Sequence, residues 1–199
     1  MIRRGPRVTT EPGRLIVLSG PSGVGKDTVL HQLRTLEPGL RYSVSYTTRA
    51  PRPGEVDGVA YSFIDRDQFL AMAERGEFLE WAEVHGHLYG TSEARVKEAL
   101  DRGEDIVLKI DVQGAAWIRP RVDGAIFIFL LPPSEEELRR RLVGRDTEDE
   151  AARELRFRNA VAELADGAAY DHRVVNDDVG RAAREILDIV RSRRARGTS

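Results

Sequence analysis

A short apolar run, Leu15-Ile16-Val17-Leu18-Ser19, leads straight into Gly20-Pro21-Ser22-Gly23-Val24-Gly25-Lys26-Asp27-Thr28. A helical pattern follows, with Val29, Leu30 and Leu33 on one face. The run reads as a buried strand and the stripe as an amphipathic helix. Between them, Gly20, Gly23 and Gly25 let backbone N–H groups curl around an anion. Lys26 adds a charge for outer phosphates, and the helix N-terminus contributes its partial positive charge. Strand, glycine loop and helix form the setting of the phosphate-binding P-loop, G-x-x-x-x-G-K-[ST]. One position departs from it: Asp27 stands where a Ser or Thr normally gives its hydroxyl to Mg2+. A chance glycine turn is the alternative, and the spacing, the lysine and the flanks all weigh against it.

Strand and helix patterns then alternate, which predicts an α/β fold: a P-loop three-layer core built on a parallel sheet. Residues 106–111, 125–131 and 172–175 are further strand candidates. A helix is expected after Asp111 through Arg119, and a last one over 179–193 with Ala182, Ile186, Ile189 and Val190 on one face. Two stretches interrupt the rhythm. Residues 42–91 hold short strand-like pieces, many turn residues and a helix near 67–75, and read as an inserted small α+β lobe. Residues 134–164 read as two charged helices around Gly144-Arg145-Asp146-Thr147. Ser134 and Glu137 have capping-box spacing there. A charged helical hairpin after a core strand is a candidate mobile lid. One domain over 14–193 is expected, with its core in 14–41, 92–133 and 165–193 and with 1–13 and 194–199 as flexible tails.

The whole chain limits the partners. It has 199 residues, 41% apolar and 32% charged, with a formal net charge of −2. That balance gives no bulk electrostatic case for nucleic acid. With no cysteine there is no disulfide, thiol nucleophile or zinc-thiolate site, in agreement with a reducing, cytoplasmic compartment. The longest apolar run, 125–131, is far too short to span a bilayer, and 1–13 lack the apolar segment of a secretory signal. Neither nucleic acid nor membrane is expected as a partner.

The inserted lobe carries a second signal. Arg49 and Arg52 flank Pro51, with Tyr61 nearby. Two planar guanidiniums and a tyrosine suit a phosphate monoester, although composition alone favours a solvated basic turn. Glu80 lies between Leu79 and Trp81, where an unpaired carboxylate is costly and wants donors. Guanine offers two on one edge, N1–H and the 2-amino group, and adenine does not. An exposed Glu at a helix end is the alternative.

Six segments occur together: the P-loop, Ser-x-Ser-x-Thr-Thr-Arg-x-Pro-Arg-x-Gly-Glu from Ser43, Glu-Phe-Leu-Glu-Trp-Ala from Glu77, Tyr89-Gly90-Thr91, Ile110-Asp111-Val112-Gln113-Gly114 and Val174-Val175-Asn176-Asp177. In this order, across roughly 14–193, the chain resembles the guanylate kinase family. The resemblance implies ATP-dependent phosphorylation of GMP, with Mg2+ accompanying ATP. It implies that Ser45, Glu80 and Thr91 read guanine and that Arg49, Arg52, Tyr61 and Tyr89 hold the GMP phosphate. Asp111 would sit near the GMP and metal side. Arg141, Arg145 and Arg156 match lid arginines that join Lys26 and Arg49 in catalysis. The first two are four apart, on one helical face. Gly20 through Thr28 would bind ATP phosphates, and Asn176 matches a position near the ATP base.

Asp27 and Lys109 depart from the family pattern. Where a hydroxyl and an acid usually stand, a carboxylate and an ammonium do, and the pair sums to zero. Side chains two apart on a strand share a face, so Lys109 and Asp111 should point the same way. A charge exchange is expected, with Asp27 as the anionic oxygen near Mg2+, directly or through water, and Lys109 as its partner; neutral drift is the alternative. Two other functions stay open. One is a P-loop kinase for another acceptor such as ribose bisphosphate, which would not need Glu80, Ser45 and Thr91. The other is a non-catalytic guanylate-kinase-like binding module; those usually have eroded P-loops, whereas Lys26 is kept here.

Overall fold

A computed structural model describes residues 13–84, 86–143 and 150–196. Five strands form one all-parallel sheet: β1 Leu15–Ser19, β2 Arg41–Tyr42, β7 Ile106–Lys109, β8 Ile126–Leu131 and β9 His172–Val175, in the order β2-β7-β1-β8-β9. Such a sheet is covered on both faces, which is why its inner strands read as apolar runs without polar alternation. Successive side chains point to opposite faces. Ile16 and Leu18 pack with Val29, Leu33, Ile186 and Val190 of helices α1 Lys26–Leu36 and α7 Val179–Arg196. Leu15 and Val17 face the other way, onto Val96, Ala115 and Ile118 of α3 Glu93–Asp101 and α4 Val112–Ile118. These are the three layers the sequence predicts. Helix α3 was not among the expected elements. Ser92 caps it, its side chain accepting from the Arg95 N–H at 3.4 Å.

The inserted lobe has its own sheet, β4-β3-β6-β5, made of β3 Tyr46–Thr47, β4 Ser62–Phe63, β5 Phe78–Val84 and β6 His87–Ser92. Helix α2 Arg66–Glu74 packs on β5 and buries Phe69. Tyr42 belongs to the core sheet through its pairing with Val107. The charged hairpin expected as a lid is α5 Glu135–Val143 and α6 Glu150–Glu163, held by a small cluster of Leu138, Leu142 and Ala160. The capping box forms by half. Ser134 Oγ accepts from the Glu137 N–H at 3.2 Å, while the Glu137 carboxylate turns to Arg140 and Arg141 at 2.7 Å each. Two guanidiniums at i+3 and i+4 outcompete one backbone N–H, and they hold the Glu137 carboxyl down at about 2. The segment 144–147, and with it Arg145, lies outside the described residues, as do 1–12 and 197–199. Among the described residues no helix is long and apolar enough to cross a membrane.

Candidate active site

Strand β1 ends at Ser19 and the chain turns into the glycine loop before α1 begins at Lys26. Positive φ favours glycine at three points of that turn, Gly20, Gly23 and Gly25, and at two of them a Cβ would also strike a backbone or buried polar group. Gly20 has φ +148°, and a Cβ there would meet the Leu130 carbonyl oxygen at 2.6 Å. Gly25 has φ +97°, and a Cβ would meet Asn176 Nδ2 at 2.6 Å. The Lys26 ammonium donates to the carbonyls of Gly20 at 2.5 Å and Pro21 at 3.1 Å. Burial pushes its pKa down to about 8, against the raising influence of Glu163 and Asp27. The Ser22 N–H donates to Glu163 Oε2 at 3.1 Å, so a carboxylate from the end of α6 sits on the loop's donor. Nothing in the sequence singled out Glu163. Its one signal is a seven-residue spacing from Arg156, which puts both on one face of α6, and both line the cleft.

That cleft, about 220 Å³, lies between the P-loop and the inserted lobe at the carboxyl ends of β1 and β7. On its far wall, Glu80 of β5 is 5% exposed and pairs in register with Thr91 of β6. Thr91 Oγ1 donates to Glu80 Oε1 at 2.6 Å. Burial pushes the Glu80 carboxyl up to about 7; the Thr91 hydroxyl pulls it down, and the Asp111 charge adds to the rise. The setting differs from the sequence expectation in its cause. Leu79 and Trp81 flank Glu80 in sequence, but Trp81 points to the opposite face, 48% exposed and against Phe69, while Leu79 sits at a bulge of β5 and packs into the core beside α4. What encloses Glu80 is Thr91 and the first turn of α4, where a Cβ on Gly114 would meet Glu80 Oε2 at 2.5 Å. Asp111 caps α4, accepting from the Gly114 N–H at 2.8 Å, and lines the same cleft with Ser45.

Arg52, Tyr61 and Tyr89 also line the cleft. Arg49 stands behind them. Its guanidinium reaches both oxygens of Glu55, at 2.9 and 3.0 Å, and lies 5.4 Å from the Tyr61 ring centre. Glu55 accepts from the Arg52 N–H as well, at 2.8 Å, so one carboxylate shapes the whole turn. Sequence reasoning missed Glu55 as a site residue, although its place three residues after Arg52, beyond a glycine, fits such a turn.

Lys109 and Asp27 are brought together, the ammonium donating to Asp27 Oδ1. The same ammonium donates to Tyr61 Oη at 2.9 Å. Burial pulls its pKa down, and Tyr61 and Asp27 together outweigh that, leaving it raised. Asp27 itself is exposed at 68% of its side chain, toward solvent beside the P-loop. Among the described residues no group of three or more Asp, Glu and His could hold a metal unaided. Mg2+ commonly uses one or two carboxylates with substrate phosphates, so an exposed carboxylate beside a phosphate loop fits it.

A second hollow lies on the other side of the loop, lined by Gly23, Gly25, Thr28, Arg141, Asn176 and Val179 among others. Val24, buried beneath, offers its carbonyl to Arg141 Nη1 at 3.1 Å and to Asn176 Nδ2 at 2.8 Å. Arg141 also donates to the Asn176 carbonyl at 3.0 Å. It therefore sits with the expected base-side residue, away from the cleft that Arg156 lines. Arg139 and Arg140 are tied to Glu154 and Glu137 on the surface.

A family model described as guanylate kinase matches residues 12–193. A guanylate kinase of Halalkalibacterium halodurans is 53% identical over 90% of this chain and 88% of its own length. One of Rubrobacter xylanophilus is 50% identical over 90% of this chain and 94% of its own. Among solved structures, guanylate kinase from Anaplasma phagocytophilum superposes with a TM-score of 0.77 at 36% identity, covering 94% of this chain and 88% of that one. A glycine loop, a buried carboxylate across the cleft from it and a match along nearly the whole length lead to one assignment: the chain belongs to the guanylate kinase family.

Proposed function

We infer that this protein transfers the γ-phosphoryl group of ATP to GMP, giving ADP and GDP. The observation that carries the reading is Glu80, buried and bonded to Thr91 across one cleft from Lys26. A carboxylate there matches the N1–H and 2-amino donors of guanine, and Ser45 and Thr91 complete the polar wall. Arg52, Tyr61 and Tyr89 take the GMP phosphate, with Arg49 and Glu55 setting the turn that presents them. A GMP phosphate oxygen attacks the γ-phosphorus as the bond to the β,γ-bridging oxygen breaks, and ADP leaves with that electron pair. Such a transfer needs in-line placement and charge neutralisation more than covalent help.

The P-loop N–H groups, from Gly20 to Thr28, take the ATP phosphates, and Lys26 turns from the loop carbonyls to them. Arg156 meets the moving phosphoryl charge from the lid side, and Arg145 is assigned with it on the family resemblance. Arg141 and Asn176 hold the donor side beyond the loop. Asp27 is the residue to hold Mg2+, which supplies charge neutralisation on the phosphates when bound. The cytoplasm is the proposed location.

A coupled assay offering GMP, AMP, dTMP and ribose bisphosphate as acceptors tests the substrate. A site whose buried polar groups go unmatched rejects the wrong ligand strongly, so kcat/KM for GMP should exceed that for AMP by at least about 10³. Turnover of another acceptor with rejection of GMP would defeat the assignment. Failure to bind ATP with Mg2+ present would favour a non-catalytic module. Titrating Mg2+ in the same assay should show that turnover requires it.

A further inference from the structure

Lys109 ends β7, one residue after fully buried Leu108 and two before Asp111. Strand alternation puts it on the face of Val107, toward α1, and its place at the carboxyl end of the strand brings it into the cleft. Its side chain is 12% exposed, and a buried ammonium is tolerated only with partners. Its two partners come from different bodies of the fold. Asp27 lies in the first turn of α1, in the core. Tyr61 lies just before the lobe's β4, and its hydroxyl accepts at 2.9 Å. From Tyr61 the contacts continue into the lobe, to Tyr89 with ring centres 5.8 Å apart and to Arg49, which Glu55 fixes.

We propose that Lys109 is a positioning residue that pins the P-loop to the acceptor lobe, orienting Tyr61 for the acceptor phosphate and neutralising Asp27 beside the donor phosphates. The reasoning has two independent arms. Without the ammonium, the Asp27 carboxylate loses a hydrogen-bonded positive charge at the mouth of an anion site, where its own charge repels a triphosphate. Without it, the Tyr61 hydroxyl also loses the donor that fixes its direction, and the aromatic wall is no longer tied to the core. One residue thus bears on both nucleotides through different neighbours. The proposal rests on the GMP and ATP reading above and goes further by assigning Lys109.

Two double-mutant cycles on the full chain test it, read as dissociation constants from calorimetry. GMP binding is measured for Lys109→Met, Tyr61→Phe and the double variant. ATP binding with EDTA present is measured for Lys109→Met, Asp27→Asn and the double. Groups in direct contact couple strongly, so Lys109→Met should weaken GMP about tenfold in the parent and less than about threefold in the Tyr61→Phe background. It should weaken metal-free ATP about tenfold, and adding Asp27→Asn should recover most of that loss. Lys109→Arg keeps the charge and should stay within about threefold on both ligands. A merely structural lysine would weaken both ligands in every background, with no recovery from Asp27→Asn.

Additive losses in either cycle, or Lys109→Met binding both ligands as the parent does, would overturn the proposal. If Lys109→Met does not fold by circular dichroism, Lys109→Gln runs through the same cycles. Asp27→Ser with Lys109→Asp should bind metal-free ATP better than Lys109→Asp alone, and equal binding would count against the pairing. The reading beneath it fails separately: a parent protein that binds no GMP defeats the function, whereas a parent that binds GMP without coupling defeats only Lys109.

Discussion

Burial raises the Glu80 carboxyl to about 7, and this has opposite consequences for binding and for stability. Guanine needs the ionised carboxylate, because only that form accepts from both N1–H and the 2-amino group. Below pH 7 the neutral form predominates and binding must expel a proton. The GMP dissociation constant should therefore rise as pH falls through 7, by up to about tenfold per unit from this group. The monoester of GMP titrates near pH 6 too, so the informative comparison is with Glu80→Gln, which should bind GMP weakly and lose the Glu80 part of the slope. An unchanged slope in that variant would remove Glu80 from the base site. For stability, a folded pKa above the ordinary 4.5 means that the native state keeps its proton longer than the unfolded chain. Stability contributed by the neutral form is then present below pH 4.5 and lost as pH rises through about 7. Glu80→Gln should be nearly as stable as the parent at pH 4.5 and more stable at pH 8, by on the order of 3 kcal/mol in urea unfolding. Glu80 was legible in the sequence as a carboxylate among apolar neighbours, yet Trp81 faces away from it and Thr91 and α4 do the enclosing. Glu163 was not legible, since in a chain with 33 acidic residues nothing local marks a carboxylate whose partner is 141 residues away, whereas Glu55 carried a local sign in its spacing from Arg52.

The inner strands announce themselves because each is a buried run, and α1 and α7 because their apolar residues repeat at helical spacing. The lobe's strands β3 and β4 are two residues each, below the length at which alternation can be recognised. Helix α4 has a role that no periodicity conveys. Its first turn is the floor under Glu80, and Gly114 is the residue that lets the two approach. Gly114→Ala would put a methyl group 2.5 Å from Glu80 Oε2 and 3.1 Å from its Cδ, so the carboxylate must move. Alanine suits a helix better than glycine by about 1 kcal/mol, so thermal stability should hold. The KM for GMP should rise by about tenfold or more while that for ATP moves less than about threefold, a split read by steady-state kinetics. An unchanged KM for GMP would show that α4 does not set the position of Glu80.

At the scale of the molecule, the two sheets and the charged helical hairpin follow from where the apolar rhythm stops. How the lobe is fastened does not, because the fastening depends on single residues with remote partners. Arg95 of α3 is the clearest case. It donates to the Val44 carbonyl at 3.0 Å, Ser62 Oγ at 3.1 Å and Tyr46 Oη at 2.9 Å, and its guanidinium lies 4.6 Å from the Tyr46 ring centre. These partners lie 33 to 51 residues away along the chain and include both short lobe strands. The contacts lie on the back of the lobe, outside the cleft, so they set its orientation without touching substrate. Arg95→Ala should leave the core folded and loosen the lobe. Amide exchange should accelerate at β3 and β4 and stay unchanged in β1, β7 and β8. GMP should bind about three- to tenfold more weakly, with ATP affinity near that of the parent, because the P-loop is built entirely from the core. Equal acceleration across both sheets, or equal weakening of both nucleotides, would mean that Arg95 supports the whole fold and not the docking of one lobe.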